Sequence, residues 1–388
     1  MANKNFTQFS LSSFASPTDF IVGYDSTGAQ ELRYTASDIR NTTYALGLLT
    51  AGNFDFKIRG ITVGGGGSSS NCAFGTDALK FGTSTPNIGI GTSAGYSLSS
   101  AGFCVAIGYN ALKTYGGSGG YNVAIGTSAM ESVRGFCEHN VAVGWNGLAN
   151  LVQSSNNTTI GDFAGRYLTG GSYNTYAGYN AAALAYTGSY NTFIGHYAGI
   201  GNDNRTNCTG LGYYANTTGN NQVQLGDSTT TTYAYGAVQN RSDIRDKADV
   251  RDTTLGLDFI MALRPVDFKW DLRESYKTPP PAAPSPEATE EEKENHALQL
   301  QEWKQANDIS NITHDGTHKR ARYHHGLIAQ EVKQTLDAKG IDFGGYQDHS
   351  IKGGKDVQSI GYNELVAPLI KAIQELKQEF DAYKASHP

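Results

Sequence analysis

The chain has 388 residues and a formal net charge of −6, with no basic tail and no Lys/Arg stripe interleaved with aromatics, which excludes nucleic acid as an expected partner. No run of eighteen apolar residues occurs, so membrane insertion is not expected, and the opening Met1-Ala2-Asn3-Lys4-Asn5 runs into mixed polar sequence rather than a signal peptide. The expectation is a chain made in the cytoplasm. Four cysteines, Cys72, Cys104, Cys137 and Cys208, lie far apart without CxxC spacing or neighbouring histidines; they read as reduced, buried, small apolar residues, and no metal or cofactor is expected.

Composition changes sharply near residue 241. Residues 1–241 carry 22 charged side chains and 38 of the 47 glycines, whereas 242–388 carry 44 charges and eight of the ten prolines. Such a step marks a domain boundary, and three regions follow: 1–50, 51–240 and 241–388. In the first, Phe20 to Gly28 reads as a strand entering a turn and Glu31 to Thr35 as a return strand. Too short to bury a core alone, this head suits a docking piece that orders against its own copies or a larger assembly.

From residue 71 the chain repeats itself. Asn71-Cys-Ala-Phe74-Gly75 recurs as Asn87-Ile-Gly-Ile90-Gly91, Asn122-Val-Ala-Ile125-Gly126, Asn140-Val-Ala-Val143-Gly144, Asn157-Thr-Thr-Ile160-Gly161, Asn174-Thr-Tyr-Ala177-Gly178 and Asn191-Thr-Phe-Ile194-Gly195, with degenerate copies at Gly108, Gly212 and Gly226. The aligned glycines are 16, 17, 18, 18, 17, 17, 17, 17 and 14 residues apart. A near-constant period over ten copies is a repeat array. Within one unit, Asn-x-x-Ile is a short strand with period-2 alternation. The Gly allows a turn with positive φ or close approach of another backbone, and the small Ala that follows packs under the turn. About 17 residues hold two short strands and two turns, one coil of a β-solenoid or β-roll. The Asn residues would stack into an amide ladder. A surface this poor in charge, with sheet edges to cover, calls for several chains packed together.

Aromatic rings crowd the later repeats. Trp145, Tyr176, Tyr179, Tyr190 and Tyr197 are the candidates for a binding surface that stacks on sugar rings, with packing between coils or chains as the alternative. Glycoside cleavage would need two suitably placed carboxylates; the array offers Asp77, Asp162, Asp203, Asp227 and two Glu, none paired in sequence, so a hydrolase in the repeats is disfavoured.

Past the boundary, Leu255 to Leu263 reads as a helix ended by Arg264-Pro265, Val266 to Trp270 as a strand, 278–286 as a stiff Pro-rich linker and Glu287 to Gln305 as an acidic helix. Tyr323 to Val332 is a strand turning into a helix, and its adjacent His324 and His325 point to opposite sides, which argues against a metal site. In the last helix Val366, Leu369, Ile373, Leu376, Phe380 and Tyr383 alternate 3-4-3-4-3, a short coiled-coil seam that again asks for partner chains. At the boundary itself Ser242 precedes Lys247 by five residues, the two side chains of a Ser–Lys nucleophilic site.

Two resemblances follow from these residues. The repeat resembles the Asn-x-Ala-Ile-Gly pattern of trimeric adhesin heads, a left-handed β-roll, and of phage tail-fibre shafts, although the period here is longer than in the adhesin heads. Ser242-Asp243-Ile-Arg-Asp-Lys247, Leu255-Gly-Leu-Asp-Phe-Ile with Leu263-Arg-Pro-Val-Asp-Phe-Lys-Trp270, His325-Gly-Leu-Ile-Ala-Gln-Glu-Val332 and Tyr362-Asn-Glu-Leu-Val with Lys371-Ala-Ile-Gln-Glu-Leu376 resemble the intramolecular chaperone at the C-terminus of endosialidases and phage tail fibres, the peptidase S74 family. The Pro-rich and acidic segment 277–318 is a decoration on that pattern. The resemblance implies a homotrimeric chaperone that folds the upstream fibre and then cuts itself off, with Ser242 matching the family serine and Lys247 the family lysine. Cleavage is expected at Ser242–Asp243. Since a serine attacking its own carbonyl would close a four-membered ring, either the preceding carbonyl is attacked or Ser242 of one chain serves another. Lys247 must be neutral to act as base, through burial or a nearby positive charge such as Arg245.

The resulting expectation is mainly β: a homotrimeric β-solenoid fibre of about ten 17-residue repeats, then an α+β chaperone domain ending in a short trimeric coiled coil. It is a phage tail fibre in the virion, assembled in the host cytoplasm, joined to other tail proteins through its N-terminus and to a bacterial surface receptor, expected to be polysaccharide, through the solenoid. A tailspike depolymerase with the same chaperone is the alternative. A bacterial adhesin would need a secretion signal and anchor, and a membrane-bound transcription-factor relative a basic domain and a transmembrane segment.

Overall fold

The protein is described by a computed structural model that covers residues 20–24, 31–35, 56–58, 61–64, 70–83, 86–201, 204–282, 284, 288–352 and 356–387. Most of the expected docking region lies outside those residues. Within it, β1 (Phe20–Tyr24) and β2 (Glu31–Thr35) pair antiparallel, with Ile21 opposite Tyr34. The chain divides into two compact units, Met1–Asn140 and Val141–Pro388.

In the first unit β3 (Phe56–Ile58) and β4 (Ile61–Gly64) form an antiparallel hairpin that leads antiparallel into β5 (Cys72–Gly75). Pairing then turns parallel. β5, β6 (Ile88–Ile90), β7 (Val105–Ile107) and β9 (Val123–Ile125) stack one repeat on the next, matching Phe74 to Ile90, Ile90 to Ile107 and Ile107 to Ile125. The second unit carries the same ladder through β11 (Val141–Val143), β13 (Thr158–Ile160), β14 (Thr175–Ala177), β15 (Thr192–Ile194), β16 (Thr209–Leu211) and β17 (Val223–Leu225). The repeat array is a β-solenoid of about nine turns over residues 72–225.

The strands fall where Asn-x-x-Ile placed them, but most coils contain one regular strand rather than two. Only β8 (Thr114–Ser118) and β10 (Ser132–Phe136), paired in parallel, and β12 (Asn150–Val152) add a second. In coils with and without a second strand, the extended run ends at the turn after the Gly: two residues on, the backbone enters the left-handed region, as at Ser93 (φ 56), Asn110 (φ 58), Asn180 (φ 54) and Tyr197 (φ 59). The turn amides still bond to the neighbouring coil, for example Leu79 N to Ala94 O at 2.9 Å and Ala182 N to Ala198 O at 2.8 Å. Backbone satisfaction between coils therefore survives without a second strand. The repeat glycine itself is obligatory. At Gly178 φ is +132, and an added Cβ would lie 2.5 Å from the carbonyl oxygen of Gly195 in the next coil.

Inside the coils, bulk is shared between two rows, the middle residue of each strand and the residue four after the Gly. In the first unit the strand residue is small (Ala73, Gly89, Ala106, Ala124) and the turn supplies the fully buried Leu79, Leu112 and Met130, while at the Gly89 coil the turn residue is Gly95 and Leu79 of the preceding coil fills the space beside both glycines. Further along the second unit the strand supplies Tyr176 and Phe193, and the turn row shrinks to Gly165, Ala182 and Gly199. A Cβ at Gly165 would come within 3.1 Å of the Tyr176 ring, and Gly210 has room only for hydrogen beside Phe193. The two rows trade volume so that the interior stays filled.

The Asn residues form the expected ladder. Asn87 N donates to Asn71 Oδ1 (2.7 Å), Asn174 N to Asn157 Oδ1 (3.1 Å) and Asn191 N to Asn174 Oδ1 (2.9 Å), while each Nδ2 closes its own coil, as from Asn174 to Gly188 O (2.8 Å). In two degenerate copies the slot holds cysteine. Cys104 N and Cys208 N donate to Asn87 and Asn191 Oδ1 (2.8 and 3.0 Å), and the Cys208 thiol takes over the closing bond, to Gly219 O at 3.2 Å. Cys104, Cys137 and Cys208 are buried free thiols, but Cys72 is exposed: it lies on the outward side of β5, flanking the buried Ala73.

That alternation leaves the outer side of the sheet apolar. Phe74, Ile90, Ile160, Ile194 and Leu211 face outward, with Ile160 54% and Ile194 44% exposed.

The C-terminal residues build a small α+β core. α1 (Leu257–Ala262), α3 (Ala329–Lys339) and the antiparallel pair β20 (Tyr346–Asp348) and β21 (Gln358–Ile360) surround Phe259, Val332, Leu336, Phe343 and Leu365. β18 (Val266–Phe268) pairs antiparallel with β19 (His324–Gly326). The acidic helix of the insert is α2 (Glu290–Ala306), started by a Thr289/Glu292 capping box. The final helix, α4 (Val366–Ser386), is tied back by Leu257 N donating to Glu375 Oε2 at 2.6 Å, and its seam residues remain exposed.

Replacing Asn174 by Ala removes an acceptor for Asn191 N and a donor to Gly188 O. Each buried group left unpaired costs about 1–3 kcal/mol, so N174A is expected to lower the thermal midpoint by calorimetry. Asn150→Ala, at an exposed site with one long bond to Arg166 O, should leave it nearly unchanged.

Candidate functional site

The boundary sequence folds into a compact turn. Asp243 caps a single 3-10 turn, Ile244–Asp246, by accepting from Arg245 N at 2.9 Å, and Arg241 Nε meets Asp246 Oδ2 at 3.0 Å. This turn folds Lys247 back onto the residue five before it, and Lys247 Nζ donates to Ser242 Oγ at 2.8 Å. The two side chains singled out by spacing are thus brought together.

Their surroundings differ from the expectation. Ser242 and Lys247 are exposed, and the Arg245 guanidinium is engaged with the Asp243 carboxylate at 3.1 and 2.6 Å. That contact with Arg245 holds the Asp243 carboxyl below the usual carboxylate range. Neither burial nor a free neighbouring cation surrounds Lys247 in the single chain. The turn brings the two side chains together at the protein surface.

The aromatic candidates divide. Tyr176 is 0% exposed and belongs to the coil interior, so as a binding residue it is a correction: its slot is the inward strand position, filled elsewhere by Ala. Trp145 is half-buried and packs against Phe163 at 4.5 Å. Tyr179 and Tyr190 are exposed, and Tyr197 half-buried. Rings on neighbouring coils stack: Tyr173 on Tyr190 at 5.1 Å, and Tyr179 through His196 to Tyr213 at 5.2 and 5.6 Å. In the first unit Phe103, Tyr121 and His139 do the same at 4.8 and 4.9 Å. Of the carboxylates, Asp162 accepts from Trp145 N at 2.8 Å and Asp227 from Thr229 N at 2.8 Å, so both serve local structure; Asp203 lies outside the described residues.

Two contacts between the C-terminal part and the solenoid were not legible in the sequence. The first closes the amide ladder. Gln222 occupies the Asn slot of the last coil, and His349 Nδ1 lies 3.1 Å from Gln222 Nε2 and 2.6 Å from Thr218 Oγ1, with His349 Nε2 3.1 Å from Ser359 Oγ. Gln in an Asn register was a visible sign of a ladder end; nothing marked His349 as its cap. The second is the insert, whose helix lies on the aromatic coils.

Residues 242–341 match the family model described as chaperone of endosialidase. The segment contains Ser242, Lys247, α1, α2 and α3, and begins at the serine. Together with the β-solenoid ahead of it, the match fits a phage fibre with a C-terminal chaperone domain, self-cleaving at the level of the family description. No curated protein and no solved structure matches the chain.

Burial lowers the His349 pKa, outweighing the raising effect of Asp348. A histidine depressed in the folded state stabilises its contact fully above the ordinary histidine value and loses that contribution as pH falls through the depressed one. The protection factors of the Thr218 and Gly219 amides, that is, exchange corrected for its intrinsic base catalysis, are therefore expected to be higher at pH 8 than at pH 5, and His349→Ala should abolish most of that difference in protection.

Proposed function

We propose that this chain is a phage tail fibre that attaches to the bacterial surface, and that its C-terminal domain assembles three copies, folds the solenoid and then cleaves itself away at Ser242. The observation that carries the reading is the 2.8 Å contact from Lys247 to Ser242 at the start of the family match, where a charge-poor solenoid meets a charge-rich domain.

Assembly is supported by what one chain leaves uncovered. The outward sheet face shows Ile160, Ile194 and Leu211, and α4 shows Leu369, Ile373, Leu376 and Phe380 along one seam. Apolar surface repeated at every coil and every heptad step is stabilised by burial against copies of itself. A closed symmetric assembly satisfies each copy alike. Packing three chains around this axis would also supply the burial that Lys247 lacks alone.

In the cleavage step, neutral Lys247 takes the Ser242 Oγ proton, and Oγ attacks the Ser242 carbonyl of a neighbouring chain. The tetrahedral intermediate collapses with transfer of that proton to the departing amine of Asp243, leaving an ester between chains. Water, activated by the same lysine, hydrolyses the ester to a Ser242 carboxylate and free Oγ. One water is consumed per bond. After the domain departs, the solenoid can no longer refold by the route that made it, and its persistence becomes kinetic.

Intact mass of the expressed wild type should show fragments meeting between residues 242 and 243, with Ser242→Ala and Lys247→Ala whole. Lys247→Arg should also stay whole, because a guanidinium does not deprotonate to act as base. Full-length wild type would overturn the cleavage.

Ile373 is 66% exposed, so Ile373→Glu spares the single-chain core. It is expected to shift sedimentation from trimer toward monomer and to slow cleavage at least tenfold. A monomer that cleaves at the wild-type rate would sink attack between chains.

A further inference from the structure

The insert that interrupts the C-terminal domain is seated on the solenoid. Along α2, His296, Leu300 and Trp303 follow one another at helical spacing. Leu300 is buried, and Trp303 packed, against Ala183, Leu184, Ile200, Tyr167, Tyr197 and Tyr214 of four successive coils. Lys304 Nζ donates to Tyr186 Oη at 3.0 Å and stands 4.2 Å from its ring centre. Ahead of the helix, Pro280 and Pro281 line one cleft with Tyr179 and Tyr197.

The insert is closed on itself at its base. Thr278 N donates to Asn307 Oδ1 at 2.7 Å, Asn307 Nδ2 to Thr278 Oγ1 at 3.1 Å, and Trp303 Nε1 to Thr278 O at 2.9 Å. It therefore sits or lifts as one piece. The coils it covers do not use it to complete their interior: Ala181, Ala182 and Phe193 are fully buried inside the coil, in rows distinct from the covered residues.

We propose that α2, with Pro280 and Pro281 ahead of it, is a removable cover over a carbohydrate-binding face of the solenoid, the face of Tyr167, Tyr179, Tyr197 and Tyr214. The proposal rests on the fibre reading above, which supplies the cut that releases the cover. The covered chemistry suits sugars. Rings from successive coils give flat faces for the C–H side of pyranose rings, Arg166 lies 5.2 Å from the Tyr167 ring centre, and Asn180 borders the same cleft, which offers amide and guanidinium partners for hydroxyl and carboxylate groups. In the uncut chain the saturated rings of Pro280 and Pro281 form one wall of that cleft.

Release follows from linkage. While the chain is continuous, the insert meets the coils at an effective concentration in the millimolar range. After a cut upstream of it, this contact and the His349 seat both become intermolecular, so their occupancy falls on dilution and the cover can leave with its domain. Burial of His296 beneath the insert, with Arg166 nearby, lowers its pKa, so acid weakens the seat further.

The test uses the full-length Ser242→Ala chain with a recognition site for a sequence-specific protease placed at the exposed residues 233–238, probed on an array of bacterial capsular polysaccharides and lipopolysaccharides before and after cutting. The expected result is a rise of at least tenfold in binding to one glycan class on cutting. The uncut Leu300→Asp variant should bind the same class, and the cut Tyr197→Ala variant should lose it. Equal binding before and after cutting would overturn the cover. Binding of no glycan by the cut protein, or capture only by an outer-membrane protein, would overturn the carbohydrate face. Because the protease makes the cut, wild type found whole by mass would sink self-cleavage while leaving this result standing.

Discussion

Everything in the solenoid depends on one requirement: each coil must hand its backbone bonds to the next coil in unbroken register. The short Asn-x-x-Ile strands bond in parallel, the turns bond by their amides, and the stacked Asn side chains carry bonding through positions where neither regular pattern reaches. The glycine after each strand is the place where two coils come too close for a Cβ. Period, strand and ladder follow from this one demand, which explains why a sequence so poor in charge still specifies a single register.

That dependence on local, repeated chemistry is also why the array could be read without coordinates. Gly178 and its equivalents announced positive φ, and Asn174 and its neighbours announced the ladder. What failed to read was side-chain direction. Tyr176 looked like the other tyrosines, but its slot, two before the glycine, is the inward one, and the Ala residues at the same place in earlier repeats carried that information. The half-buried Tyr197 shares its left-handed turn position with Asn180, which a residue-type argument does not see. The number of strands per coil was overcounted because period-2 patterning is cheap to find in Gly- and Ala-rich sequence.

The candidate active site shows the opposite balance. The pairing of its two side chains was legible, since Ser242 and Lys247 stand where the composition breaks, and the contact between them is local. The surroundings were not: the burial expected of Lys247 is absent, because a single short 3-10 turn carries both side chains on the surface. The C-terminal domain's two seats on the solenoid, His349 on the last rung and the insert on the aromatic coils, are long-range contacts with sequence separations above one hundred residues. Periodicity reports nothing at that distance. These seats place the domain on two parts of the solenoid, the last coil through His349 and a lateral aromatic face through the insert.

The trade of volume between the inner rows constrains how such a chain can change in length. A solenoid tolerates gain or loss of whole units because each contacts only its neighbours. Here, though, the inner rows differ from coil to coil. Leu or Met in the turn row stands beside a small strand residue at Leu79, Leu112, Met130 and Leu148, and Tyr176 and Phe193 fill the strand row beside the small turn residues Ala182 and Gly199. The coils of Gly89 with Gly95 and of Thr159 with Gly165 are small in both turn and strand. A recombination that joined the Leu148 coil directly to a coil with an interior aromatic, omitting Gly165 between them, would crowd two large side chains into one layer. Viable exchanges therefore keep the Gly165 coil between the two, so that spacer remains as a fixed landmark while the coils on either side of it grow or shrink in number.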